Sequence, residues 1–483
     1  MIERLSNRSI GAAKPGTQRP LYARNTVTAG IVHLGIGAFH RAHQAVVVDD
    51  LLEQDSSWGI VGASLRRPDT KEALAPQDGL YSVLVKDGET RSLRVIGSVL
   101  EVLDAPNEKE ALLARMADPA TRIVSLTVTE KGYCYNAATG GLDLTHPDIV
   151  ADLAQPRNPA SAAGIVTEAL RRRREAGIAP FTVLSCDNLP HNGAVALRVF
   201  TEFAEAVDPG LGRWVRENVA FPGTMIDRIV PATTDADRAE IAGLLGLEDA
   251  WPVVGEPFLQ WVIEDKFVGA RPPFDLGGAE FVADVAPYER MKLRMLNGSH
   301  SMMAYLGYLS GHEFIAQVIA EPSFRAFVSS AMAEEIAPTL GMATAGTDAY
   351  ASQLLERFSN TALRHRTYQI AMDGSQKLPQ RLLGTIADRL KAGAPFERLA
   401  LGVAAWMIYA RGVDENGNAI PVQDPMAAEF AKIDPARLVD EFLAIDRVFP
   451  PDLAGNRVFR EAVGAKVALL REIGAAEAVR RSA

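Results

Sequence analysis

A β-branched apolar run that ends in glycines and passes directly into a helical pattern, GIVHLGIGAFHRAHQAVVVDDLLEQ at residues 30 to 54, limits the chain more than any other stretch. Such a strand–turn–helix unit repeated along a chain builds a parallel sheet, because parallel neighbours need a crossover, and the crossover is usually a helix. The repeat is present. WGIVGASL (58 to 65) reads as the next buried strand, EKEALLARM as a helix, TRIVSLTVT as a strand, ASAAGIVTEALRRRREAG as a helix and FTVLSCDNL as a strand. LYSVLVKDGETRSLRVIG (80 to 97) holds two alternating runs about a Lys-Asp-Gly turn, which predicts an antiparallel hairpin inserted in that sheet. Helices on both sheet faces follow.

After about residue 285 the pattern changes to long amphipathic segments such as MKLRMLNGSHSMMAYLGYLSG and PFERLALGVAAWMIYARGV. A boundary near ADVAPYER divides the chain into a Rossmann-like α/β domain over 1–285 and a mainly helical substrate domain over 286–483. A length of 483 residues is too great for one ordinary domain.

Charge narrows the classes of partner. A net charge of −10 argues against nucleic acid and against an anionic membrane surface, both of which require a basic face. The one dense basic run, RRRRE at 171 to 175, falls at the end of a helical pattern and reads as a solvated face. LALGVAAWMIYA (399 to 410) is shorter than the roughly 20 residues of a membrane span and reads as a core helix. Two cysteines, Cys134 and Cys186, and an opening without an apolar segment predict a reduced cytoplasmic protein.

Two groups of residues carry chemistry. Gly35 and Gly37 lie between a strand and a helix, where missing side chains let backbone amides approach a pyrophosphate. His40 stands where a third glycine is usual. In LRRPD, after the next strand, Asp69 is placed to accept from a ribose hydroxyl and to repel a 2′-phosphate, which favours NAD. Arg66 and Arg67 act in the opposite sense. His40 and His43 have a spacing open to a metal, but no cysteine or clustered carboxylate completes a shell, so none is expected.

The second group is MKLRMLNGSH. At about 100° per residue, Lys292 at zero places His300 near 80° and Asn297 near 140°, on one broad face of a helix. Burying an ammonium, an amide and an imidazole together is unfavourable unless partners or a substrate satisfy them. Desolvation lowers a lysine's pKa, so Lys292 is placed to act as general base towards a secondary alcohol. Asn297 would donate to the oxygen that gains charge, and His300 would bind a neighbouring hydroxyl. Asp187 and Asn188 in SCDNLPHNG, Asp227 and Arg228 in FPGTMIDRIVP, and Glu130 in TVTEKGY close other strands and are expected to converge on the same substrate. Asp227 and Arg228 equally suit a plain ion pair, and Glu130 and Glu289 suit surface or hinge positions.

Taken in order, GIGAFHRAHQ, LTVTEKGY, SCDNLPHNG, FPGTMIDRIVP, WPVVGEPFLQWVIEDKF, KLRMLNGSH and DGSQKLP resemble the long-chain mannitol dehydrogenase family over nearly the whole length. That family includes mannitol 2-dehydrogenases, fructuronate and tagaturonate reductases and arabinitol dehydrogenases. The resemblance implies metal-free hydride transfer with NAD. It casts Lys292 as the catalytic acid/base, with Asn297 and His300 completing the pattern and Asn188 holding the reacting oxygen. It further implies Asp227 and Lys377 on the substrate side, and Phe39, His40 and Arg41 beside the glycines on the cofactor side. Two positions depart from the pattern. Gln369 replaces an arginine of mannitol-specific members, and Pro68 replaces an acidic neighbour of Asp69. Interconversion of mannitol and fructose is the leading expectation, with a sugar acid such as mannonate as the rival. A nucleotide-binding sensor without turnover is the reading from another class, and it predicts that Lys292→Met changes nothing.

Overall fold

The computed structural model describes residues 2–136, 139–414 and 417–483. The chain forms two compact units, Met1–Ala286 and Pro287–Ala483.

In the first unit, five parallel strands lie in the order Val99–Asp104, Gly59–Ser64, Ala29–Leu34, Ile123–Leu126, Thr182–Ser185. Each strand is apolar on both faces because both are covered. Val61, Val32, Val124 and Val183 are neighbours across the sheet and enter one core, while Ile60, Ile31 and Ile123 enter the other. Strand order reverses between Ala29–Leu34 and Ile123–Leu126, so a crevice opens beyond their carboxyl ends.

The hairpin of Tyr81–Asp87 and Thr90–Ile96 forms, but not within this sheet. It pairs with Val253–Gly255 in a separate three-stranded sheet. The edge of the main sheet is taken instead by Val99–Asp104, which begins three residues after the hairpin ends. The expected single helix after the glycine turn is two, Ala38–Ala42 and Gln44–Leu51, parted at His43 with φ −125° and ψ −90°.

Arg173 corrects the reading of the basic run. Its neighbours pair with carboxylates, Arg171 with Glu168 and Arg172 with Glu110. Arg173 instead turns inward at 2% exposure and donates to the carbonyls of Met116, Asp118, Thr121 and Ala179. It therefore ties the helix Ala162–Glu175 to the end of Ala105–Ala117.

The second unit is helical among the described residues. The helix Glu397–Ala410 is buried through most of its length, as its composition predicts. It packs with Ser299–Leu309 and with the terminal Arg457–Ser482. Among the described residues no helix is long and apolar enough to cross a membrane.

Replacing Arg173 by alanine strands several buried carbonyls, a loss of about 2–3 kcal/mol that should lower the apparent melting temperature by roughly 4 °C or more. Arg174→Ala, which removes only an exposed pair with Asp208, should stay within about 0.5 kcal/mol of the parent. Thermal unfolding followed by circular dichroism compares the two, and equal shifts would deny Arg173 its inward role.

Candidate active site

In the first unit, a cavity of about 570 Å³ lies at the strand-order reversal. Gly35, Gly37, Asp69 and Thr129 line it, with Arg66 and Arg67. Gly35 sits at φ +93°, and a Cβ there would lie 2.2 Å from the Thr127 carbonyl oxygen, so only glycine fits. At Gly37 the nearest atom to a Cβ is 3.9 Å away. The chain itself leaves that position open towards the cavity.

Phe39, His40 and Arg41 do not line this cavity. Phe39 stacks on His43 at 5.1 Å between ring centroids, and His43 shares a hydrogen bond with the Gln260 carbonyl at 2.9 Å. His40 lies flat against His33 on the adjoining strand, with ring centroids 3.4 Å apart. An imidazole stack thus joins helix to strand where a third glycine usually permits close approach. Burial drives both rings to the neutral form, His33 to about 3 and His40 well below its usual value. Arg41 is buried, donates to the Trp251 carbonyl and faces the Tyr81 ring at 5.2 Å.

Asp69 is exposed at the head of the helix Asp69–Leu74, where its carboxylate accepts from the Thr70 amide at 2.9 Å. Asp187 is engaged with the protein's own loop. Buried just past the strand Thr182–Ser185, it accepts from the amides of Val128 and Thr129 at 3.1 and 2.7 Å and from the Tyr133 hydroxyl at 2.9 Å. Those bonds hold the loop that lines the cavity, including Thr129 at φ +65°. Burial nevertheless raises its pKa. Asn188 beside it is exposed, and Glu130 is exposed as well.

Asp227 is 4% exposed and ends the strand Thr224–Asp227 opposite Gln260. Arg228 gives its guanidinium to the carbonyls of Glu256 and Ala42. Asn192 links these two strand ends, donating to the carbonyls of Asp187 and Thr224 and accepting from the Thr224 amide.

In the second unit, Lys292–Gly298 winds as a π-helix and Ser299–Leu309 continues as an α-helix. The angular placement from a uniform α-helix therefore fails over the first seven residues. In an i→i+5 spiral the fifth residue along returns nearly above the first. Asn297 thus stands one turn beyond Lys292, and His300 stands a further three residues on, close to one α turn. The winding aligns the three more closely than the α-helical estimate does. Lys292 and Asn297 are half-buried and His300 is buried.

Gly298 closes the π segment against a second one, Pro379–Leu383, where a Cβ would lie 2.9 Å from the Arg381 carbonyl oxygen. Arg381 in turn donates to the Ser301 hydroxyl at 3.1 Å. His300 packs against Phe358 at 4.8 Å and His365 at 5.2 Å, and its Nε2 has no hydrogen-bond partner. Burial pushes its pKa well down, and His365, Arg381, Arg357 and Lys377 all add to the fall.

Lys377 donates to the Met372 carbonyl at 2.5 Å, and burial lowers its pKa to about 8. Gln369 is exposed on the short helix Thr367–Ala371. Arg366 is paired with Glu313, and the guanidinium of Arg364 faces the Phe314 ring. Arg357, Arg381 and His365 are the charged or ionisable neighbours of His300 that the sequence does not single out. Nothing in their local pattern distinguishes them from the outer face of an amphipathic helix.

Family models match on both sides of the unit boundary, the mannitol dehydrogenase Rossmann domain over residues 29–276 and the mannitol dehydrogenase C-terminal domain over 284–470. The chain belongs to the mannitol dehydrogenase family of oxidoreductases. It is 52% identical to the D-mannonate oxidoreductase of Escherichia coli strain K12, over 95% of this chain and 97% of that one. It is 44% identical to a mannitol 2-dehydrogenase of Phaeosphaeria nodorum, over 93% and 82%. Among solved structures, the ternary complex of Pseudomonas fluorescens mannitol 2-dehydrogenase with NAD and D-mannitol superposes with a TM-score of 0.86 at 38% identity, covering 99% of each chain.

Two substitutions at the glycine turn separate a steric requirement from free space. Gly35→Ala should lose about 3 kcal/mol or more through the clash and the left-handed backbone, whereas Gly37→Ala should melt close to the parent. Equal melting temperatures by scanning calorimetry would show that the turn relaxes around either methyl group.

Proposed function

We propose that the chain is an NAD-dependent oxidoreductase that interconverts a secondary alcohol and a ketone on a linear sugar acid, D-mannonate and fructuronate being the leading pair. The observation that carries the choice of substrate is the electrostatic setting of His300. Arg381, Arg357 and Lys377 bear on one buried imidazole together with His365, and each disfavours another positive charge there. Surroundings biased in this way favour an anion over a neutral polyol. Arg381 presents a planar guanidinium suited to a carboxylate. The 52% identity to a D-mannonate oxidoreductase supports the same substrate class. Exposed Gln369, in place of an arginine of mannitol-specific members, accords with it.

The cofactor reading rests on the first unit. Gly35 admits no side chain, the cavity has the volume for a mononucleotide half, and Asp69 stands at the second strand end. NAD, when bound, exchanges the hydride. Asp187 holds Val128 and Thr129 in the positions that shape the cavity.

For the proton, Lys292 takes the hydroxyl hydrogen of the alcohol on Nζ during oxidation and returns it during reduction. The Asn297 amide, one π turn beyond, donates to the same oxygen as charge builds on it. Buried and uncharged, His300 offers its unpartnered Nε2 to a hydroxyl on the carboxylate side of the reacting carbon.

Lys292→Met should lower turnover about 10³-fold while leaving NADH binding, read by fluorescence, within about twofold. Loss of both together would make the residue structural, and loss of neither would favour a sensor without turnover. With NAD, kcat/KM for D-mannonate should exceed that for D-mannitol by about 100-fold, and Arg381→Leu should erase most of that gap. Mannitol turning over as well as mannonate would return the assignment to a polyol. Lys377, with its pKa lowered to about 8, is charged below that pH and neutral above it. The dissociation constant of mannonate should therefore rise above pH 8 while that of mannitol stays level, and Lys377→Arg should flatten the mannonate curve.

A further inference from the structure

One cluster of metal-ligating groups lies outside the chemistry described above. Cys134, His146 and Asp148 each offer a ligand atom, and these atoms lie within 4.8 Å of one another. Cys134 occupies a left-handed turn at φ +49° after the short helix Glu130–Tyr133. His146 caps the helix Pro147–Ala154, and Asp148 stands in that helix's first turn. The two pieces are joined by a hydrogen bond from the Asp143 amide to the Cys134 carbonyl at 2.8 Å. The loop thus holds the thiol against the helix start.

We infer that Cys134, His146 and Asp148 form a binding site for a divalent transition metal, zinc foremost, and that the metal and the dinucleotide exclude one another. Thiolate, imidazole and carboxylate together match the ligands that zinc prefers. Tetrahedral bond lengths of about 2.0–2.3 Å set ligand atoms roughly 3.5 Å apart. Rotation of exposed Asp148 and half-exposed His146 supplies the approach. A thiolate and a carboxylate balance the charge of a divalent ion, and the thiol proton leaves to solvent as the metal–sulfur bond forms. Three carboxylates, those of Asp148, Asp152 and Asp143, act on the Cys134 side chain against one guanidinium, that of Arg66, a balance that favours a cation.

Exclusion follows from position. Cys134 and Asp148 both line the 570 Å³ cavity that Gly35 and Asp69 line, so an ion bridging them occupies volume and carboxylate capacity on its wall. Metal binding stands on the ligand geometry alone, and only the competition rests on reading that cavity as the cofactor's.

The test uses metal-free full-length protein. Cobalt(II) titrated into it should develop a sulfur-to-cobalt charge-transfer band in the near ultraviolet that saturates at about one equivalent. Cys134→Ser should abolish the band. His146→Asn, which keeps a capping side chain, should weaken cobalt binding about tenfold or more. In a separate titration, zinc should raise the apparent dissociation constant of NADH in proportion to its concentration. His146→Asn should shift that dependence by the same factor without changing the metal-free value. A missing band, or one that survives Cys134→Ser, overturns the site. A normal band with NADH affinity indifferent to zinc overturns the exclusion, and NADH failing to bind without metal would instead refute the cofactor reading.

Discussion

The change of helical winding at Lys292 sets how the side chains of the family's lysine motif are disposed along the helix. With the asparagine five positions beyond the lysine, an α-helix would turn the two side chains well apart. A π turn brings the fifth residue back over the first. Seven residues adopt that winding, and the helix returns to α geometry at Ser299. Asn297 therefore stands about one turn beyond Lys292, and His300 follows three residues later. Gly298 makes the transition compatible with packing, because the carbonyl of Arg381 occupies the space a side chain would need. Two π segments meet there, so the lysine helix and the segment bearing Arg381 are set by the same contact.

That contact also explains the pocket's charge. Arg381 sits on the segment pressed against Gly298 and donates to Ser301, one residue past His300. From there its guanidinium acts electrostatically on the His300 imidazole. Lys377, four residues earlier, is held by main-chain carbonyls rather than by a carboxylate, which leaves its positive charge without a neutralising partner at close range. Aspartates do act on it at longer range, Asp373 and Asp424, but Asp424 is engaged by the amide and hydroxyl of Ser375. The anionic substrate proposed above would offset that positive environment.

Much of the first unit was legible in the sequence because its strands are buried on both faces and are written in isoleucine and valine. The edge strand Val99–Asp104 escaped notice because Glu101 interrupts its apolar run and it follows the hairpin with almost no turn between them. The hairpin's own pairing was readable, but its sheet was not, since the deciding partner, Val253–Gly255, lies far along the chain. Arg173 shows the limit for charged runs. Its neighbours are solvated as expected, yet the position facing inward finds four carbonyls at helix and loop ends, which no local pattern records. The site was legible as residues but not as geometry. Lys292, Asn297 and His300 were visible as polar groups in an apolar helix, whereas the π winding has no compositional mark.

Asp187 illustrates why a conspicuous carboxylate at a strand end need not touch substrate. The loop after Ile123–Leu126 carries Thr129 in a left-handed conformation, which is unfavourable for a β-branched residue. Two amides of that loop would be left without acceptors if the carboxylate were removed, while the Tyr133 hydroxyl would keep the Ser185 hydroxyl as a partner. Burial raises the Asp187 pKa, while all three of those hydrogen bonds work in the opposite direction. The carboxylate is thus most useful to the fold when ionised and fully engaged, and a second role in contacting a hydroxyl would take an oxygen away from the loop.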